Sequence, residues 1–182
     1  MIIRNKRAPM VHRLATLALA LLPLGALAVD PGQPAPEFAL PAGGKTVRLA
    51  DYRGKLVYLD FWASWCGPCR QSFPWMNEMQ QKYGAQGLQV IAVNVDKKSE
   101  DANRFLADNV AKFAVAFDPV GATPKAYAVK AMPSSMLIAP DGSVQFVHAG
   151  FREEERRLLE DKIRASLPTR KSASAVDVGE SK

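Results

Sequence analysis

The sequence predicts an α/β fold: a central mixed sheet flanked by helices, with an added hairpin at its N-terminal end. Three observations carry this. Two apolar runs, Leu56 to Phe61 and Leu88 to Val95, have the length of strands buried on both faces. Segments after each of them carry apolar residues at helical spacing. A second strand pair and a last amphipathic segment complete an order in which strands and helices alternate, the pattern of a sheet covered by helices.

The elements follow in order. Residues 29–36 form a proline-rich lead-in that cannot be helical. Phe38 and Leu40, then Val47 and Leu49, alternate with other residues across Gly43-Gly44, which reads as a small hairpin. Only Asp60 interrupts the run from Leu56 to Phe61. Phe73, Met76, Met79 and Tyr83 then mark one face of a helix. After the run from Leu88 to Val95, Ser99 is placed to cap a helix bearing Ala102, Phe105 and Leu106. Val115 and Phe117 make a short strand. Thr123-Pro124 starts a short helix, with threonine as cap and proline in the first turn. Ser135 to Ala139 and Ser143 to His148 flank the turn signal Pro140-Asp141-Gly142. Leu158, Leu159, Ile163 and Leu167 mark a last helix with a charged outer side. No internal repeat is visible, and from Thr169 to Lys182 the apolar period vanishes, which predicts a disordered tail. One domain is expected over residues 29–168.

The formal charge of +6 is concentrated at the start of the chain. Arg4, Lys6, Arg7 and Arg13 precede the first acid, Asp30, and residues after 28 carry 20 basic against 18 acidic groups. With no concentrated basic face left, charge points to no nucleic-acid partner. The basic start leads into an apolar run from Leu14 to Leu24, and Ala26-Leu27-Ala28 supplies the small-x-small pattern of a cleavage site. Residues 1–28 therefore read as a secretory signal, with a mature chain from Val29, periplasmic and without stable membrane insertion. The competing reading is an uncleaved anchor. The run has about half of the roughly 20 residues that cross a bilayer, and Pro23 and Gly25 interrupt its end. No cysteine follows the run, which argues against a lipoprotein anchor.

The chain has two cysteines, Cys66 and Cys69. A bridge between them closes almost no loop, and the loop-closure entropy that makes a structural staple useful grows with loop length. Their role is therefore redox chemistry, in a compartment where disulfides form. A buried strand runs directly into this pair at a helix start, which separates it from a chance Cys-x-x-Cys. Free N–H groups and the helix dipole at that end favour negative charge on the first sulfur, so Cys66 is the expected thiolate. It attacks a partner disulfide, and Cys69, one turn on and deeper, resolves the mixed disulfide. With no third thiol, any exchange partner must be another molecule.

The segment Trp62-Ala63-Ser64-Trp65-Cys66-Gly67-Pro68-Cys69 resembles thioredoxin, and residues 34–167 resemble the exported TlpA/ResA-like branch of the thioredoxin superfamily. Pro34-Ala35-Pro36-Glu37-Phe38, the stretch Leu49 to Lys55, and Met132-Pro133-Ser134-Ser135 support the match. The resemblance implies a thioredoxin-like sheet with helices on both faces, reduction of protein disulfide substrates of cytochrome c maturation or copper-site assembly, no cofactor, and a membrane thiol-electron donor. It also implies that Met132-Pro133 is a cis-proline loop lying against the cysteines, with the Met132 backbone free to pair with an extended substrate; an ordinary trans turn is the alternative. Asp60 matches thioredoxin's buried acid. Desolvation should raise its pKa, fitting it to take the Cys69 proton, unless it is a strand-end aspartate bonded to backbone. Two departures stand out. The lysine that accompanies this acid in thioredoxin has no counterpart between Leu88 and Val95. Ser72 occupies the position where many relatives carry a glutamate, which leaves Asp60 as the expected sole carboxylate nearby. Pro74 matches a helix-kinking proline.

The candidate catalytic residues are thus Cys66, Cys69 and Asp60, and the candidate substrate-binding residues are Trp65, Gly67, Pro68, Met132 and Pro133. Trp65 offers a flat docking surface beside the sulfur, whereas Trp62 is expected to be the more buried of the two. Two rival functions remain. A peroxiredoxin-like peroxidase would need Pro-x-x-x-Thr-x-x-Cys, and Leu59 and Ala63 stand at those positions. A Cu(I) metallochaperone could use both thiolates with Met132. Zinc would want four protein ligands, and the sequence does not bring His148, the only histidine after residue 28, to the pair. Phe73, Met76 and Met79 read as core rather than metal ligands.

Overall fold

The computed structural model describes residues 29–168, so the expected leader over 1–28 and the tail over 169–182 lie outside the described residues. Strands β1 (Ala39–Ala42) and β2 (Lys45–Arg48) form an antiparallel hairpin. The main sheet has the order β5-β4-β3-β6-β7. Its strands are β3 (Leu56–Trp62), β4 (Leu88–Asn94), β5 (Ala114–Phe117), β6 (Ser134–Ile138) and β7 (Val144–Ala149). The first three run parallel, and β6 and β7 are antiparallel to their neighbours, which makes the sheet mixed. The helices are α1 (Gly67–Tyr83), α2 (Ser99–Asp108), α3 (Ala122–Ala126) and α4 (Arg156–Ser166). Among the described residues no helix is long and apolar enough to cross a membrane.

All seven residues of β3 are buried, as a central strand covered on both sides must be. Alternation divides them. Leu56, Tyr58 and Trp62 join a core with α1, α2 and α4, while Val57, Leu59 and Phe61 join one with the hairpin and Tyr127. Burying each large apolar side chain contributes about 1.5–3 kcal/mol. Near the end of β3 the first core is aromatic: Trp62, Phe73 and Phe105 meet pairwise at centroid distances of 4.7–4.9 Å. These contacts hold α1 and α2 against the edge of the sheet where β3 runs into the cysteines. The sequence pattern omitted Trp75, which is buried in α1 and meets Tyr58 edge-on.

Three local expectations need correction. Ser99 does not cap α2: the cap position is Lys98, with no side-chain hydrogen bond. Thr123 does not cap α3 either, since Gly121 holds that position at φ +77°. The Asp118 carboxylate supplies the acceptor instead, taking the N–H groups of Gly121 at 2.9 Å and Thr123 at 2.6 Å. These bonds hold Asp118 below the usual carboxylate range, against the opposing effect of its burial. Leu158 is exposed, and α4 packs through Leu159 and Ile163. The turn between β6 and β7 is as expected. Gly142 lies at φ +89°, and the Arg53 guanidinium fills the space a Cβ would need.

Candidate active site

Cys66 is the N-cap of α1, and its Sγ accepts the backbone N–H of Cys69 at 3.2 Å. An N-cap oxygen would ordinarily take such an orphan donor; here a sulfur does. Gly67 and Pro68 form the exposed first turn, where proline's missing N–H costs nothing. Cys66 and Cys69 are joined in a disulfide, with Cα atoms 5.3 Å apart. Cys69 is fully buried, and Cys66 keeps 4% of its surface. Trp65 beside it is 71% exposed, whereas Trp62 is fully buried. A polar groove of about 220 Å³ opens at Trp65, lined by Arg70, Asp101, Arg104 and Asp108 among others.

The Met132-Pro133 peptide bond is cis. Met132 packs against the core cluster that contains both cysteines, and Pro133 is buried at the start of β6. The fold thus brings the cis-proline loop, from about 65 residues downstream, to the core cluster that holds the disulfide. Asp60 is 1% exposed and lies on the same face of β3 as Tyr58 and Trp62, the face that α1 covers. One of its carboxylate oxygens has no hydrogen-bond partner among the described residues. Burial therefore pushes its pKa well up. Ser72 does not replace the family's glutamate as a charge; its hydroxyl donates to the Cys69 carbonyl at 3.1 Å.

The sequence pattern also missed Asp96. Asp96 accepts the Ser64 N–H at 2.8 Å, the Ser64 hydroxyl at 3.0 Å and the Asn94 side-chain amide at 2.8 Å. It anchors the loop two residues before Cys66. The pairing of β3 with β4 puts Trp62 opposite Asn94, so the chain leaving each strand emerges at the same edge. Sequence separation hid this contact; the parallel pairing of the two apolar runs was the available signal. Asp96→Ala leaves the Ser64 N–H without its acceptor. The expected loss is about 1–3 kcal/mol of stability, read by urea unfolding, with the disulfide still forming. A variant as stable as wild type would mean that the anchor is dispensable.

The AhpC/TSA family matches residues 31–147. The thiol-disulfide oxidoreductase ResA of Bacillus subtilis is 34% identical over 131 residues, covering 71% of this chain and 73% of that protein. ResA of Geobacillus thermodenitrificans is 34% identical over 162 residues, covering 83% and 93%. The chain belongs to the AhpC/TSA family and is a ResA-like thiol-disulfide oxidoreductase. Among solved structures, a Chlorobium tepidum protein assigned as the thiol:disulfide interchange protein DsbE is 57% identical. It superposes with a TM-score of 0.76 and covers 78% of this chain and all of that one. This ResA-like chain has the thioredoxin-like fold its motif implied, with the extra hairpin in front.

Proposed function

We propose that this ResA-like chain is an exported disulfide reductase acting on protein substrates of cytochrome c maturation or copper-site assembly, and recharged by a membrane thiol-electron donor. Cys66 is the nucleophile, Cys69 the resolving thiol and Asp60 the acceptor of the Cys69 proton. Trp65, Gly67, Pro68, Met132 and Pro133 form the surface that takes the substrate. The observation that carries the assignment is the asymmetry of the pair. The Cys66 sulfur sits at the open N-terminus of α1 and accepts an N–H, which stabilises a thiolate. Cys69 is fully buried and bonded to Cys66.

The chemistry balances as follows. The Cys66 thiolate attacks one sulfur of the substrate disulfide, and the other leaves as a thiolate. Cys69 passes its proton to Asp60 and attacks the Cys66 sulfur, which releases the second substrate thiolate. Two electrons move from the pair to the substrate. Gly67-Pro68, the thioredoxin dipeptide, supports the reducing direction.

Two measurements test this reading. Reduced protein should reduce insulin catalytically in the presence of a thiol donor, with the Cys66-Cys69 couple poised at a reducing potential. Tight one-to-one Cu(I) binding without insulin turnover would favour the metallochaperone. For export, N-terminal sequencing of the periplasmic protein should begin at Val29, whereas an intact chain in the membrane fraction would establish the anchor.

A further inference from the structure

Asp60 is sealed from solvent, so a proton it accepts must leave through its neighbours before the next cycle. The register of the sheet shows where they lie. Asp60 of β3 is directly opposite Ser135 of β6, and Ser135 is directly opposite His148 of β7. The three share a sheet face, since cross-strand partners point to the same side, with Cβ atoms about 4.5–5.5 Å apart at each step. The Tyr58 hydroxyl lies within hydrogen-bonding reach of Ser135 beside this row. At its outer end the His148 Nε2 is 3.3 Å from the Glu155 carboxylate, in the turn that precedes α4. Both side chains are mostly buried, at 14% and 24% exposure, but unlike Asp60 they touch solvent. One Asp60 carboxylate oxygen is buried with no hydrogen-bond partner among the described residues, and at the far end of the row the His148 Nε2 and the Glu155 carboxylate are buried against each other.

We propose that Ser135, His148 and Glu155 form a proton exit from Asp60 to the surface at the β7 edge of the sheet. The inference rests on the reading of Asp60 as the proton acceptor. The Asp60 carboxyl gives up its proton across Ser135 to the His148 ring, which passes it on beside Glu155 to solvent. An imidazole has two ring nitrogens and can both take and give a proton. Among the described residues, the groups facing His148 are Glu155 from the turn, Ser135 from β6, and Asp60 and Tyr58 farther along the row. Lys162 of α4 lies over the ring of Phe146, which stacks on His148. His148 thus serves as a positioned relay that touches neither the cysteines nor the substrate.

A chromogenic aromatic disulfide tests this in a single turnover of the reduced protein. Mixed-disulfide formation releases the first coloured thiolate, resolution releases the second, and one proton appears in solution, followed with an indicator dye. In wild type, proton release keeps pace with the second thiolate. In His148→Gln and His148→Ala, proton release should lag the second thiolate by about 10²-fold, the low end of what a positioned proton carrier contributes. Added imidazole should abolish the lag in His148→Ala, which a purely structural defect would not allow. Proton release in step with the second thiolate in both variants, or a lag that imidazole leaves unchanged, would overturn the exit. Asp60→Asn separates the two claims. A slowed second thiolate in that variant, together with normal His148 variants, removes the exit alone; an unchanged second thiolate removes the Asp60 reading itself.

Discussion

Cys69→Ala stops turnover and leaves Cys66 covalently joined to whatever disulfide it attacked. The first attack needs only the Cys66 sulfur, which keeps its place at the cap of α1 whether or not Cys69 carries a thiol. Release needs a second sulfur within bonding distance, and Cys69 supplies the only one in the chain. Multiple-turnover insulin reduction should therefore fall to the uncatalysed background. Mixed disulfides should accumulate in the exported fraction and disappear on treatment with dithiothreitol. Cys66→Ala should be equally inactive yet trap nothing, because the buried Cys69 sulfur does not reach a partner. Trapping by Cys66→Ala rather than Cys69→Ala would reverse the roles. The trapped proteins, identified by mass, name the substrate class.

Asp60→Asn slows resolution by about 10²–10⁴-fold, the usual contribution of a positioned general base, and leaves mixed-disulfide formation close to wild type. The same change makes the protein more stable at neutral pH. Burial raises the Asp60 pKa, so the folded state binds this proton more tightly than the unfolded chain does. Wild-type stability then falls as pH climbs from the ordinary aspartate value of about 3.9 through the raised folded-state value, and levels off above it. The asparagine variant lacks that slope. Its advantage should be small near pH 4 and grow toward neutrality to at least about 1 kcal/mol, the lower bound for an unpaired buried polar group. Urea unfolding at several pH values measures this. Slower resolution with higher stability marks a functional carboxylate; unchanged resolution with a stability gain would make Asp60 a structural liability only.

Local patterns were enough where the physics is local. The two apolar runs suit strands buried on both faces, and their lengths agree with β3 and β4 to within a residue. A cysteine pair after such a strand, with glycine and proline between, could only sit at a helix start, and Cys66 is the cap. Caps were read less well. Ser99 and Thr123 have cap chemistry, but the preceding chain places Lys98 and Gly121 at the cap positions, and Asp118 reaches across the turn to satisfy α3. A cap is a matter of one residue's register, which a periodic pattern leaves loose by that much.

By itself the sequence determined the redox pair, its helix-start location, the class of sheet and the burial of Asp60. The pair, its location and the burial of Asp60 depend on residue type and spacing over a dozen positions or fewer, and the class of sheet on the order of such local patterns along the chain. Only the tertiary structure decided which distant residues share the site. Parallel pairing of β3 with β4 carries Asp96 to Ser64, and antiparallel pairing of β6 with β3 and β7 lines Ser135 and His148 up with Asp60. His148 appears isolated in the sequence because no local period links it to the cysteines. In the sheet it stands two strands from Asp60, because strand register joins residues by hydrogen-bond ladder rather than by separation along the chain.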